Sequence, residues 1–566
     1  MSKVYVNQWG YLPNSPKTAV IAGNGSDQPV KIRVINEQDS CVLEQEAVFF
    51  GHDAASDDDV WQADFSEVTA PGKYHVEDDQ GSSSYSFQIS EDIYEKLGNM
   101  MSKALYFQRC GTALDEKYAG IFKRECCHTG KAMQLEDYVN LQAGNISEAQ
   151  IQMFDVQGGW HDAGDFGRYP TAAATALAHM LYAWELFPES FEDSLNIPES
   201  GNGMPDILNE CLYELKWLLK VQMADGSVSH KLTSMRHANF VMPCEDHRQM
   251  ILFPPSTMAA GAFAAVMALA SRIYKTFAPE FSREALAAAK KAFAWLKAHP
   301  EFIGFENPKG CNTGGYEDTD DRDERLWAAA ELYRTTREAA YLTDAQALLD
   351  GVNDPTALGW TDVAGLAGWA LMEDMMRALR SKGSEVIERD CRQAALLSEK
   401  YVELFVSAAD DILKLSQQCG YKAAMSVEDY GWGSNMVLLN RAMILASAAV
   451  LTDDQSYADA VVSQMDYLLG VNGADYSYVT GAGEHAFKNP HNRVTVADGI
   501  DETIPGFVSG GPNGHPVDEK AEWLIVPGTP PMKCYLDIWE CYSLNEITIY
   551  WNSPAIFLAA FLNAVK

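Results

Sequence analysis

Over the first 90 residues, hydrophobic side chains recur at every second position: Val30, Ile32 and Val34; Tyr74 and Val76; Tyr85, Phe87 and Ile89. A period of two puts alternate side chains on one face of a pleated strand, so these runs predict half-buried strands. Turn-forming clusters at Gly23-Asn24-Gly25-Ser26-Asp27, Ala70-Pro71-Gly72 and Asp78-Asp79-Gln80-Gly81 separate them. Together they predict a small antiparallel sandwich. From Ser90 the period becomes that of a helix, first over Asp92 to Gln108. The change predicts an all-β domain over 1–92 and a helical domain over 93–566.

Eleven more helices are predicted near 171–187, 205–223, 256–275, 282–298, 323–337, 341–350, 364–379, 391–416, 434–451, 455–469 and 553–565. In the 205–223 case Pro205 opens the helix, where its missing N–H costs nothing, and Ile207, Leu208, Cys211, Leu212, Leu215, Leu218 and Leu219 make one apolar stripe that reads as core. The helix 256–275 is apolar nearly all round, as an inner helix of a large bundle must be. The segments 109–170, 224–255 and 470–552 mix Gly, Trp, His and Asp, and loops of that length usually carry function.

Composition narrows the functional classes. Against 43 Lys and Arg stand 79 Asp and Glu, a net charge of −36. Nucleic acid and anionic membrane surfaces both require a basic face, so neither is expected as a partner. The chain is 47% hydrophobic and 11% aromatic, which excludes disorder, and no run approaches the ~18 uninterrupted apolar residues of a membrane span. The start Met1-Ser2-Lys3-Val4-Tyr5-Val6-Asn7-Gln8 lacks the charged, apolar and small-residue segments of a secretory signal, which predicts a cytoplasmic protein. Eleven cysteines, with a vicinal Cys126-Cys127 pair, also suit a reducing compartment.

Two motifs carry candidate chemistry. In Gly158-Gly159-Trp160-His161-Asp162-Ala163-Gly164-Asp165-Phe166-Gly167-Arg168-Tyr169, two carboxylates three apart can share one water, one of them acting as base. An Asp-rich turn with capping roles has the same composition. In the segment 535–554, Glu546 stands among aromatic and aliphatic residues. Desolvation there raises a carboxyl pKa and makes a general acid, although a core Glu paired with Arg reads equally well.

The segment containing Tyr535, Asp537, Tyr542, Glu546, Thr548, Asn552 and Ser553 resembles an active-site signature of glycoside hydrolase family nine at every defining position. Ser477 to Gly483 followed by Pro490-His491-Asn492-Arg493 resembles a second signature, with His485 where Asn, Lys or Arg is usual. The Asp162/Asp165 run, Gly203-Met204-Pro205-Asp206-Ile207-Leu208 and Trp432-Gly433-Ser434-Asn435 agree with it, and Val6 to Pro13 resembles the opening of the immunoglobulin-like domain of one branch. The resemblance implies a mainly α protein: an (α/α)6 barrel of six inner and six outer helices, preceded by an all-β immunoglobulin-like sandwich. It implies inverting hydrolysis of a β-1,4 bond in an oligosaccharide, with Asp165 as base, Asp162 holding the water and Glu546 as acid. Inversion leaves room for that water, so carboxyls about 6.5–9.5 Å apart are expected. His491, Arg493, Trp432 and Tyr542 fall at substrate-contacting positions. Composition alone would make His491 and Arg493 surface loop residues.

Cys110, Cys127, His128 and His161 offer the ligand set of a closed structural zinc site. On spacing alone Cys126 could replace Cys127, and buried thiols with ordinary histidines fit as well. The resemblance favours zinc, because the immunoglobulin-bearing branch carries such a site in this order. Carboxylates from Glu317 to Glu324 precede a helix, where they normally act as caps and dipole partners. Dense oxygen ligands also suit Ca²⁺, and the resemblance implies Thr319, Asp320, Asp323, Glu324 and Asp362 as ligands.

The stretch Lys131 to Ile146 looks longer than in typical cellulases of the family. It would wall off the non-reducing end of a cleft, predicting exo-acting release of one sugar from soluble cellodextrins. The alternatives are an exo-β-glucosaminidase on chitosan oligosaccharides, with Glu136 or Asp137 pairing with the sugar ammonium, and an open-cleft endo-β-1,4-glucanase. Solvated loop acids are the plainer reading of Glu136 and Asp137.

Overall fold

The structure is a computed structural model that describes residues 2–23, 30–191, 194–380 and 392–565. The predicted turn at 24–27 lies outside these residues. Two compact units result. One comprises Met1–Ala104, Phe405–His491 and Asp501–Lys566; the other comprises Leu105–Leu404 and Asn492–Ile500.

The first unit begins with nine strands: β1 (Lys3–Tyr5), β2 (Gly10–Tyr11), β3 (Thr18–Gly23), β4 (Lys31–Asn36), β5 (Cys41–Glu46), β6 (Val48–Asp53), β7 (Asp58–Asp64), β8 (Gly72–Asp78) and β9 (Phe87–Ile89). They form two sheets, in the orders β1-β3-β7-β6 and β2-β9-β8-β4-β5. The predicted alternation is what builds the core. Ile32 and Val34 of β4, Tyr74 and Val76 of β8, and Phe87 and Ile89 of β9 are buried with Ile21 and Trp61. Each such side chain contributes about 1.5–3 kcal/mol by leaving water. One expectation is corrected, because the sandwich is not wholly antiparallel: β2 pairs parallel with β9, Gly10 opposite Gln88. No hairpin joins these two strands, so nothing imposes the antiparallel sense.

The sandwich shares its unit with the C-terminal helices Ser434–Thr452, Gln455–Leu468 and Ile549–Ala564. Asn7 Nδ2 donates to Asp466 Oδ1 (2.8 Å), the Gly420 amide to Asp53 Oδ2 (2.8 Å) and the Tyr421 hydroxyl to Asp58 Oδ2 (2.8 Å). His485, the departure from the second signature, sits at this junction. Its amide donates to Gln8 Oε1 (2.8 Å), and its ring stacks on Tyr476 at 4.1 Å and Tyr85 at 5.4 Å. Ser434–Thr452 has the length and hydropathy of a membrane crossing, yet it packs against the other two helices and its Asn435 donates to the Ser509 carbonyl (2.9 Å).

All twelve predicted helices form, each within a few residues of its expected ends. In the second unit, Pro170–Leu186 and Thr257–Ile273 are buried on nearly every side, as inner helices are. Gly261 lets the latter approach Arg322–Thr336 closely; a Cβ there would come within 2.6 Å of Glu324 Cβ. Pro205 caps the helix Asp206–Lys220 instead of occupying its first turn.

Two refinements bear on the site. The apolar stripe of Asp206–Lys220 is core as predicted, but Glu210 and Glu214 are buried with it and hold the Asp162 loop. The stretch 131–146 is not all loop, since Leu135–Gln142 is helical. Before it, Met133–Gln134 pairs in parallel with Ile251–Leu252, which pairs antiparallel with Leu232–Thr233.

Candidate active site

Asp162 and Asp165 lie in the second unit, on the loop leading into Pro170–Leu186. The loop is tied down through its backbone. The His161 amide donates to the Gln108 carbonyl (2.7 Å), Gln108 Nε2 donates to the Ala163 carbonyl (2.8 Å), and the Asp162 amide donates to the Gly167 carbonyl (3.0 Å). Trp160 Nε1 donates to Glu210 Oε1 (2.8 Å), and Arg109 Nε donates to the same carboxylate (3.0 Å). Gly159 turns with φ +76°, and a Cβ there would meet Trp217 Cγ at 2.7 Å, so both conformation and space require glycine.

Both carboxylates are buried, yet their environments differ. Asp162 accepts the Tyr316 hydroxyl on Oδ2, and its Oδ1 is buried with no partner. Burial pushes its pKa well above the ordinary value against that hydrogen bond, and the Asp165 charge adds to the rise. Asp165 Oδ2 accepts the Tyr169 hydroxyl (3.3 Å) and lies 3.2 Å from His237 Nδ1. Burial works to raise Asp165 too, but His237, Arg493 and His161 hold it well below the usual carboxylate range. Two acids three residues apart thus have opposite protonation tendencies, the pattern by which environment assigns acid–base roles.

Tyr316 and His237 escape a sequence reading because no periodicity or motif marks them, and Tyr169 closes the Asp162/Asp165 run without its role being readable there. The one local signal is at Tyr316, which follows a glycine pair and takes φ +48°, rare for a bulky residue.

Arg493 is neither a surface residue nor turned outward. It is 6% exposed, and Nη1 donates to the Gly164 carbonyl (2.9 Å) and Nε to the Ala238 carbonyl (2.9 Å). Its guanidinium also lies 5.1 Å from the Phe240 ring. A planar cation that satisfies two carbonyls at once ties two loops together, which lysine cannot do as well.

Glu546, His491, Tyr542 and Trp432 lie in the first unit. The Glu546 backbone is fixed by a bridge to His491 and by the Gly510 amide, which donates to its carbonyl (2.9 Å). The preceding Asn545 accepts the Tyr535 hydroxyl (2.5 Å) on Oδ1 and donates from Nδ2 to the Asn489 carbonyl (2.8 Å). The Glu546 side chain is half-buried, not fully desolvated as its sequence neighbours predict, because Tyr542 beside it is half-exposed. His491 Nδ1 meets the Trp539 carbonyl (2.7 Å), which fixes the tautomer and leaves Nε2 as the acceptor. The His491 and Trp432 rings lie 5.7 and 5.4 Å from the Tyr542 ring, and Trp432 is 50% exposed, so the three form a surface suited to sugar faces.

Cys110, Cys127, His128 and His161 converge in the second unit, one ligand atom from each lying within 4.8 Å of all the others. Among the described residues this is the one such group, and it contains Cys127, not Cys126. Both His161 nitrogens are buried without a hydrogen-bond partner, and His128 Nε2 faces Asp246 Oδ2 at 3.5 Å. Two thiols, two imidazoles and an orienting carboxylate fit a four-coordinate Zn²⁺ with its outer shell.

The acidic run before Arg322–Thr336 forms no comparable group among the described residues. Asp320 is engaged by Arg322 (Nε to Oδ2, 2.7 Å), and the exposed Thr319 donates its amide to Asp318 (2.6 Å). Asp323 Oδ2 accepts the Val363 amide (2.8 Å). Both Glu324 oxygens are buried without a partner, and burial with Asp323 nearby raises its pKa well above normal. Asp362 is pushed up to about 6 by burial and by Asp323.

Glu136 and Asp137 lie in the first turn of Leu135–Gln142, Glu136 exposed and Asp137 half-buried. Carboxylates are favoured there by the helix dipole alone.

Residues 94–559 match the glycosyl hydrolase family 9 profile, and residues 1–83 match the cellulase N-terminal ig-like domain. The chain is 40% identical to a cellodextrinase of Butyrivibrio fibrisolvens, over 98% of this chain and 99% of that one. It is 33% identical to endoglucanase D of Acetivibrio thermocellus, over 99% and 84%. The crystal structure of a metagenome-derived family 9 endoglucanase superposes with a TM-score of 0.89 at 32% identity, covering 100% of this chain and 99% of that one.

Proposed function

As a member of glycosyl hydrolase family 9, the chain is an O-glycoside hydrolase with an (α/α)6 barrel and an immunoglobulin-like domain, and we propose that it releases single sugars from soluble cellodextrins with inversion. The observation that carries this reading is the divided carboxylate pair. Asp165, held ionised, takes a proton from water, while Asp162 keeps an unpartnered oxygen to orient that water. Glu546 gives its proton to the leaving glycosidic oxygen, and water oxygen attaches to the anomeric carbon as the old bond breaks. Trp432, Tyr542 and His491 bind sugar rings and hydroxyls.

Release from the non-reducing end is supported by how the 131–146 stretch is anchored. Met133 donates its amide to the Met250 carbonyl (3.3 Å), and Gln249 Nε2 donates to the Lys131 carbonyl (2.9 Å). Met250 itself lines the cavity beside Asp165. The segment is therefore fastened to a residue that lines the base's own cavity, which supports reading it as a wall. A product time course on cello-oligosaccharides and chitosan oligosaccharides tests this. Glucose alone from the first time point is expected, appearing as the α-anomer. Glucosamine released faster would transfer the reading to an exo-glucosaminidase with Glu136 or Asp137 on the ammonium. A spread of intermediate lengths would mean an open cleft, as the likeness to endoglucanases allows.

Zn²⁺ held by Cys110, Cys127, His128 and His161 would supply no chemistry, since four protein ligands leave no open position. Its role would be to anchor His161, next to Asp162. A Ca²⁺ held by Asp323, Glu324 and Asp362 would satisfy the orphaned Glu324 oxygens, with Thr319 and Asp320 joining once Asp320 exchanges Arg322 for the ion. Adding Ca²⁺ to EGTA-treated protein is expected to raise Tm by about 3–6 °C, and Glu324→Gln to remove that response. An unchanged wild-type Tm would exclude the calcium site.

A further inference from the structure

Paired-carboxylate chemistry requires no histidine, yet one faces the ionised member of this pair. His237 Nδ1 lies 3.2 Å from Asp165 Oδ2, with side chains 33% and 9% exposed. The nitrogen makes no aligned hydrogen bond, so the contact is one of close approach. It meets the same oxygen that accepts the Tyr169 hydroxyl.

The two partners come from separate loops held in register by one clamp. Arg493 donates to the carbonyl of Gly164 and to that of Ala238, the residues next to Asp165 and His237. The His237 amide donates to Asn312 Oδ1 (3.0 Å), and the Asn312 amide donates to the Met235 carbonyl (3.1 Å). A side chain that is one-third exposed but fixed on both sides of its backbone is oriented by construction.

We propose that His237 is a positioning residue for the base: it holds Asp165 in one rotamer through Oδ2 and keeps it a carboxylate, leaving the other oxygen to take the proton of the attacking water. The inference rests on reading Asp165 as the base. The titratable or charged groups facing Asp165 are His237, Arg493, His161, Tyr169, Asp162 and Lys231. Arg493 donates to the Gly164 and Ala238 carbonyls and His161 belongs to the thiol–imidazole cluster, whereas His237 places a ring nitrogen directly against Asp165 Oδ2.

The test is the pH dependence of kcat/KM for the wild type, His237→Ala, His237→Asn and Asp165→Asn in the full metal-loaded chain. Asp165 has a depressed pKa, so losing its partner moves that pKa up, and the acid limb of activity moves to higher pH. In His237→Ala, kcat is expected to fall roughly 10- to 100-fold with KM little changed, and the limb to rise by about one pH unit or more. Asn can place Nδ2 where Nδ1 stands, so His237→Asn restores part of kcat at high pH while the limb stays displaced. A uniform loss at every pH with the limb unmoved in both variants overturns the proposal. Because Asn is close in size to His, His237→Asn carries the readout alone if the alanine variant fails to fold. Activity retained by Asp165→Asn would instead defeat the base assignment. An inactive Asp165→Asn beside an unmoved limb defeats only the role of His237.

Discussion

Glu546→Gln is expected to lower kcat on cello-oligosaccharides by at least about 10³-fold while leaving Tm within a degree or two. The side chain keeps its shape but loses the proton that a sugar leaving group needs, and a positioned acid contributes about 10²–10⁴. The backbone contacts that hold position 546, to His491 and Gly510, do not involve the carboxyl, so the fold survives. A dinitrophenyl leaving group requires no protonation. The variant should therefore recover most of its rate on that substrate, whereas Asp165→Asn should not. Near-normal turnover of cello-oligosaccharides by Glu546→Gln would sink the acid assignment.

The second large effect is expected at the thiol–imidazole cluster. Cys127→Ser should reduce bound zinc from about one ion per chain to a small fraction, lower Tm by about 10 °C or more, and cut activity about 10- to 100-fold. A buried structural zinc would contribute several kcal/mol to the folded state, and His161 is one residue from Asp162, so loss of the proposed ion would loosen the loop proposed to hold the water. Cys126→Ser is the control: its sulfur lies outside the cluster, and both metal and activity should persist. Zinc absent from carefully purified wild-type protein would remove the site altogether.

Much of the architecture was legible in the chain because its signals are local. Period-two runs such as Ile32/Val34 and Tyr74/Val76 can bury their apolar side only as strands in a sandwich, and they do. Helices such as Pro170–Leu186, apolar on every side, can exist in water only inside a bundle. The acids of the site were legible for a different reason. Asp162, Asp165 and Glu546 stand in segments whose residue order resembles a known family.

What the residue order did not carry is what surrounds those acids. On composition alone Arg493 read as a surface residue, yet it is buried and donates to two carbonyls. Glu546 read as desolvated and is half-buried. The stretch 131–146 read as loop and contains a helix, since eight residues with no buried face give too weak a period to detect. Glu210 and Glu214, which no signal in the chain singles out, are buried acceptors for Trp160.

The sequence by itself determined the order of the strands and helices, which follows from local periodicity, and it marked Asp162, Asp165, Glu546 and a set of candidate thiols and imidazoles through segments that resemble a known family. Tertiary structure alone decided which thiol joins the cluster, which tyrosine meets which carboxylate, and that His237 stands against Asp165. Those facts depend on side chains brought together across as many as 154 positions, as Tyr316 is to Asp162. Burial and nearby charge separate the pKa values of two aspartates that are chemically identical along the chain, and both are properties of the packed fold.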